Sequence, residues 1–228
     1  MWCRRKLFGV AEVATLRMGF EIDGAPQGNA PNSCESGYNS RTMKRKELKS
    51  SLKRLSREFY QGHSYVHWSL SIEDRKTGWL TPVFYYRFRE ILTHTMFRYQ
   101  LVCPIYCCMP DHIHLMWIGL SQSTDQLNAM KYFRRLLNRD LQRQGFRLQK
   151  QGYDNVLADD ERVEDSFSDI CQYIAKNPER KDLVHADQFD SYPYLNCLIP
   201  GAPEVDFRDD DFWSRFWRIV SSLRSKTE

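Results

Sequence analysis

The sequence of 228 residues has no run of about 18 apolar residues, so a transmembrane helix is not expected. It has no Cys-x-x-Cys pair. Its seven cysteines are an odd number, and Cys107 and Cys108 are adjacent and poorly placed to bridge one another. This usage speaks for reduced thiols and a cytoplasmic protein. The start is expected to be a poor secretory signal, because Glu12 and Arg17 interrupt the apolar stretch that follows its basic residues. No internal repeat is visible. What remains fits one domain with appendages, or at most two small domains, with 42% hydrophobic and 14% aromatic residues to build a core.

Charge of one sign is scarce over the whole chain, at a net of +4, but it is strongly segregated. Residues 41–57 carry eight basic residues and one acidic; residues 125–150 carry seven basic and two acidic. Residues 151–228 are acidic, with a net of −8. Two basic blocks flank the middle of the chain. If they flank it in space too, the expected partner is a polyanion, most plausibly nucleic acid. Either block alone would equally suit a solvated surface.

Residues 1–42 show little periodicity, and Gly24–Ser40 has the composition of a disordered linker. Met43 opens a different register and is expected to be the natural start, which makes residues 1–42 an N-terminal extension. Residues 43–200 are expected to form the main domain, and residues 201–228 a terminal amphipathic segment.

Within the main domain, Ser64–Ile72 alternates cleanly and predicts a half-buried strand, with Val66, Trp68, Leu70 and Ile72 on one face. Pro82 suits the first turn of a helix reaching Arg98. Leu101–Cys108 and His112–Gly119 predict a hairpin. Asp125–Gln144 predicts a helix with an apolar stripe, and Lys131, Arg135, Arg139 and Arg143 recur every four residues on another face. Phe146–Leu157 predicts a strand turning at Gly152, and Val163–Asn177 a helix ended by Pro178. Tyr192–Asp206, with three prolines, reads as irregular. Asp209–Lys226 predicts a last amphipathic helix. The order gives an α+β fold: a ferredoxin-like split βαβ antiparallel sheet with helices on one face, a C-terminal helical extension, and the histidine strand central.

Two constellations carry chemistry. His112 and His114, two apart on a strand, share a face and form a bidentate claw for a divalent metal, or else a half-buried pair that only hydrogen-bonds. Tyr173 and Asn177, four apart, share a helix face beside the apolar stripe. That tyrosine suits a nucleophile, a DNA-contacting hydroxyl or a boundary packing residue.

The segments YCCMPDHIHLMW, the basic helix, GYDNVL and QYIAKNPERKDLV, in this order and at these distances, resemble the REP-associated tyrosine transposases of the HUH single-tyrosine superfamily. The resemblance covers about residues 50–200, and LSREFYQG looks like the start of that family. It implies a single-stranded DNA endonuclease and strand transferase that acts on hairpin DNA through a 5′-phosphotyrosine intermediate. The family roles would make Tyr173 the nucleophile and His112, His114 and Asn177 the ligands of Mg²⁺ or Mn²⁺. Lys131, Arg135, Arg139 and Arg143 become candidates for the duplex stem. Arg54, Arg57 and Tyr60 become candidates for the flanking single strand. A homodimer is allowed, since some relatives exchange the tyrosine helix between subunits. A hairpin-binding regulator that has lost catalysis is the alternative. The sequence departs from the family at Asp111, where Asn is common, and at Glu179 and Asp182. Tyr153, in GYD, is the rival nucleophile.

Overall fold

The computed structural model describes residues 54–202 and 205–226. The expectations for residues 1–42, for Met43 and for most of the first basic block lie outside the described residues.

Among the described residues, five strands and five α-helices follow one another as the hydrophobic periods predict, with two additions. Strand β1 is Tyr65–Ser71, and its burial alternates residue by residue. Helix α1 is Pro82–Arg98. Its start is fixed by Pro82 and by Thr81, whose hydroxyl oxygen accepts the Phe84 amide at 3.2 Å. Strands β2, Leu101–Met109, and β3, His112–Gly119, are buried almost throughout. They pair antiparallel around Pro110 and Asp111. Helix α2, Gln126–Gln142, is capped by the Asp125 carboxylate, which accepts the Asn128 amide at 2.9 Å. Strand β4 is short, Tyr153–Val156; of the earlier part of that predicted strand, only Leu148 bridges to Ile72. Helices α3, Glu164–Ala175, and α4, Asn177–Arg180, are separated at Lys176. Strand β5, Leu195–Leu198, and helix α5, Phe212–Arg224, complete the order.

The sheet runs β4-β1-β3-β2-β5, so the histidine strand is central, between β1 and β2. Pro178 does not simply end a helix: it sits in the first turn of α4, where its missing N–H costs nothing. The stretch read as irregular contains β5, paired antiparallel with β2 through Cys107–Leu195 and Cys103–Leu198.

The expectation of helices on one face is corrected. One face of the sheet, with Val66, Trp68, Leu70, Ile113, Leu115 and Trp117, is covered by α1 and α2 through Phe88, Leu92, Phe133 and Leu137. The other face, with Ile105, Cys107, Met109, Met116 and Ile118, is covered by α3 and α5 through Phe167, Ile174, Phe212 and Phe216. Both faces of the central strands are apolar, and each needs a helical layer over it. The helices differ in what they leave outside, not in what they bury, so periodicity alone does not say which face each one takes.

Phe167 joins the second layer together. Its ring lies 5.2 Å from Tyr65, 5.6 Å from Trp213 and 5.7 Å from Trp217 by centroid, all tilted or edge-on. Phe167→Ala removes a fully buried ring at the junction of β1, α3 and α5. It is expected to cost about 3–5 kcal/mol in urea unfolding. A loss below about 1 kcal/mol would mean that α3 is not held by this cluster.

Candidate functional site

The pleat places His112 and His114 on the α3/α5 side of β3, in line with Met116 and Ile118. Their Nε2 atoms are 2.9 Å apart. Behind His112, Nδ1 donates to Asp111 Oδ1 at 2.6 Å, and Arg75 donates to the other Asp111 oxygen at 3.1 Å. A third imidazole joins the row: His67 on β1 has its Nε2 3.0 Å from Nδ1 of His114.

Burial is the first cause of the histidines' titration behaviour, because a charged imidazole loses more water than a neutral one. It pushes His67 down to about 4. His114 falls further, to about 2, helped by its neighbours His67 and His112. His112 also lies below its ordinary value through burial, although Asp111 opposes the shift. All three rings are therefore neutral near pH 7 and hold a nitrogen lone pair for use.

The hydrogen bonds then fix the proton positions. His112 donates from Nδ1 to Asp111, so its Nε2 accepts, and the His114 Nε2–H must be the donor. His114 Nδ1 in turn accepts from His67. For both Nε2 atoms to ligate one ion, the His114 proton must sit on Nδ1, where His67 Nε2 can accept it. The two Nε2 atoms, 2.9 Å apart, are close enough that both could ligate one ion. Asp111 behind His112 supplies the carboxylate that orients a metal-bound imidazole. Among the described residues, no group of three His, Cys, Asp or Glu side chains could hold a metal ion. The residues present therefore fit a two-nitrogen claw whose other positions belong to amide, phosphate or water oxygens.

Helix α3 lies on the same sheet face, with Phe167, Cys171, Ile174 and Ala175 buried in it. Lys181, just past α4, is near enough for its charge to help depress His112. Tyr173 faces away from that buried stripe and is 53% exposed. The Arg180 guanidinium lies 3.7 Å from the centre of its ring. Among the described residues, no hydrogen bond joins the Tyr173 hydroxyl to His112 or His114. Asn177 is buried, and its amide nitrogen donates to the Tyr173 and Ile174 carbonyls at 3.3 and 3.0 Å. The structure thus unites the imidazole pair, and unites Tyr173 with Asn177, but leaves the phenol in solvent.

The expected DNA contacts divide. Tyr60 is fully buried on Trp68, with its hydroxyl bonded to Asp154, so it offers no ring to a base. Burial, and then that bond, push its hydroxyl up to about 12. Arg54 pairs with Asp154 at 2.9 Å, and Arg57 pairs with Asp125. Arg139 and Arg143 both reach Asp140, at 3.7 and 3.2 Å, beside Arg87 at 2.6 Å. Lys131 and Arg135 are exposed on α2, on the sheet face opposite the imidazoles. The residues that sequence reasoning missed are His67 and Arg180. His67 stood in the outward alternation of β1, but only the strand register shows that it meets His114.

An α+β domain with a central His-x-His strand, an oriented imidazole pair and a tyrosine helix on the same sheet face is the class that this geometry defines. Its fold is similar to that of a solved structure described as a REP-associated tyrosine transposase bound to a REP hairpin. The similarity has a TM-score of 0.53 at 15% sequence identity and covers 63% of this chain and 82% of that one. No family model matches the sequence, and no curated protein matches it. Among the described residues, no helix is long and apolar enough to cross a membrane.

Proposed function

We propose that this chain is a metal-dependent DNA nicking and joining enzyme that acts on hairpin-forming single strands through Tyr173. The observation that carries the reading is the neutral imidazole pair, Nε2 to Nε2 at 2.9 Å, on the face where the tyrosine helix packs. The structural neighbour, a transposase bound to a hairpin, supports the substrate class.

His112 and His114 would hold Mg²⁺ or Mn²⁺, with the Asn177 oxygen as the expected third ligand. The ion would supply charge stabilisation to the scissile phosphate. Asp111 and His67 hold the two rings in place. The Tyr173 hydroxyl gives up its proton to solvent and its oxygen attacks phosphorus. The bond to the 3′ oxygen breaks, and the leaving oxygen takes up a proton from solvent as the 3′-hydroxyl, so that no net proton is gained or lost. A 5′-phosphotyrosine remains. Attack by another 3′-hydroxyl reverses the step, so joining needs no external energy source. Arg180, over the Tyr173 ring, brings guanidinium donors to the place where a phosphate must arrive. The phenol would serve the imidazoles of its own chain or, by exchange of the tyrosine helix, those of a second copy.

One observation favours a second reading, a hairpin-binding regulator without catalysis: the Tyr173 phenol is half exposed and, among the described residues, has no hydrogen bond to His112 or His114. The test is incubation with hairpin-bearing single-stranded oligonucleotides in Mg²⁺ or Mn²⁺, followed by denaturing electrophoresis. A covalent adduct supports the enzyme. Hairpin binding with no adduct supports the regulator.

Metal binding gives an independent check. His114→Ala removes one of the two nitrogen ligands and is expected to weaken Mn²⁺ binding at least about tenfold, read by the free-ion resonance signal. Unchanged Mn²⁺ affinity would separate the imidazole pair from the metal.

A further inference from the structure

Away from the imidazoles, at the end of α1 and the outer side of α2, three cations gather around aromatic rings. Arg98 has its guanidinium carbon 5.4 Å from the centre of Tyr132 and 5.8 Å from that of Tyr99. Arg135 lies 5.2 Å from the Tyr132 ring. Tyr132 itself is held by His94, whose Nδ1 is 3.0 Å from the phenol oxygen and whose ring stacks on it at 5.9 Å. Tyr99, Asn128, Lys131, Tyr132 and Arg135 line an open concavity of about 300 Å³.

The setting of these cations differs from that of the other basic residues. Arg54, Arg57, Arg139 and Arg143 each have a carboxylate within reach. Among the described residues, none of Arg98, Lys131 and Arg135 is paired with one. Lys131 and Arg135 stand one helical turn apart, and Arg98 comes across from α1, so like charges are crowded without relief. Stacking on tyrosine covers the guanidinium face and leaves its in-plane N–H donors directed outward. Donors fixed in this way suit the evenly spaced single charges of a sugar–phosphate chain, and the tyrosine floor suits a sugar or base against it.

We infer that the Arg98–Lys131–Arg135 cluster around Tyr132 binds the sugar–phosphate backbone of the DNA on the sheet face opposite the imidazole pair. The inference rests on the hairpin-processing reading and deepens it. It moves the backbone contact from the whole row on α2 to its N-terminal half, and adds Arg98, a residue on another helix.

The test is fluorescence anisotropy with a labelled hairpin oligonucleotide over a range of salt, using full-length protein. Arg98→Gln and Arg135→Gln are each expected to weaken binding about five- to tenfold and to lower the slope of log affinity against log salt by about one. Arg57→Gln is expected to change the slope by much less, because the Asp125 carboxylate already pairs with that charge. Thermal melting checks that each variant is folded. If Arg98→Gln and Arg135→Gln bind as the wild type does while the wild type binds DNA, this inference falls and the enzymatic reading stands. If the wild type binds no hairpin DNA under any salt, both fall. Loss of heparin binding with hairpin affinity unchanged would mark a generic anion surface and would also overturn the inference.

Discussion

Tyr173→Phe is expected to form no covalent adduct with a hairpin oligonucleotide, while its hairpin affinity stays within about twofold of wild type. The substitution removes one oxygen from a side chain that is 53% exposed. The cation packing of Arg180 on the ring does not depend on that oxygen. Exposed positions of this kind change stability by about 0.5 kcal/mol or less, so any loss belongs to chemistry and not to folding. Mass spectrometry of the wild-type adduct should place the nucleotide on the peptide containing Tyr173. The rival is Tyr153, 51% exposed at the start of β4. An adduct that survives Tyr173→Phe and disappears in Tyr153→Phe would transfer the nucleophile to β4 and undo the assignment of α3.

Gly119→Ala is expected to be the most damaging single-methyl change in the fold. Gly119 ends β3, and its amide donates to the Ser64 carbonyl at 3.0 Å. A Cβ there would lie 1.9 Å from the Gly62 backbone oxygen and 3.1 Å from the Thr124 methyl. No rotamer relieves a clash with backbone. Either the approach to β1 moves or the last pairing of β1 with β3 opens. Overpacking usually costs about 1–3 kcal/mol, and this contact should reach at least about 3 kcal/mol in urea unfolding. Because β3 carries His112 and His114 at its other end, Mn²⁺ binding should persist in any fraction that stays folded. A Gly119→Ala protein as stable as wild type would show that the segment at Gly62 is free to yield.

Much of this was legible locally. Pro82 announced the start of α1, the alternation of β1 gave its two faces, and His-x-His on an apolar run gave the strand and the imidazole pair together. What failed depended on distant partners. β5 is four residues in a proline-rich stretch, and it is a strand only because β2 offers it an edge. Tyr60 looked like a surface aromatic among basic residues, and its burial depends on Asp154, 94 positions later. Arg139 and Arg143 stood as candidates for the duplex stem at regular spacing; that Asp140 beside them is also held by Arg87, 53 positions earlier on α1, was not visible from the spacing. His67 fell on the solvent side of a half-buried strand because the layer over that face arrives only with α3 and α5. The candidate site is thus half local and half a product of sheet register.

The outermost strands, β4 and β5, are four residues each. So short a margin offers a foreign strand few backbone groups to zip onto, which protects the molecule from ribbon-like aggregation. Among the described residues, the wider surfaces left for contact belong to helices, where side chains, not main-chain amides, would choose a partner.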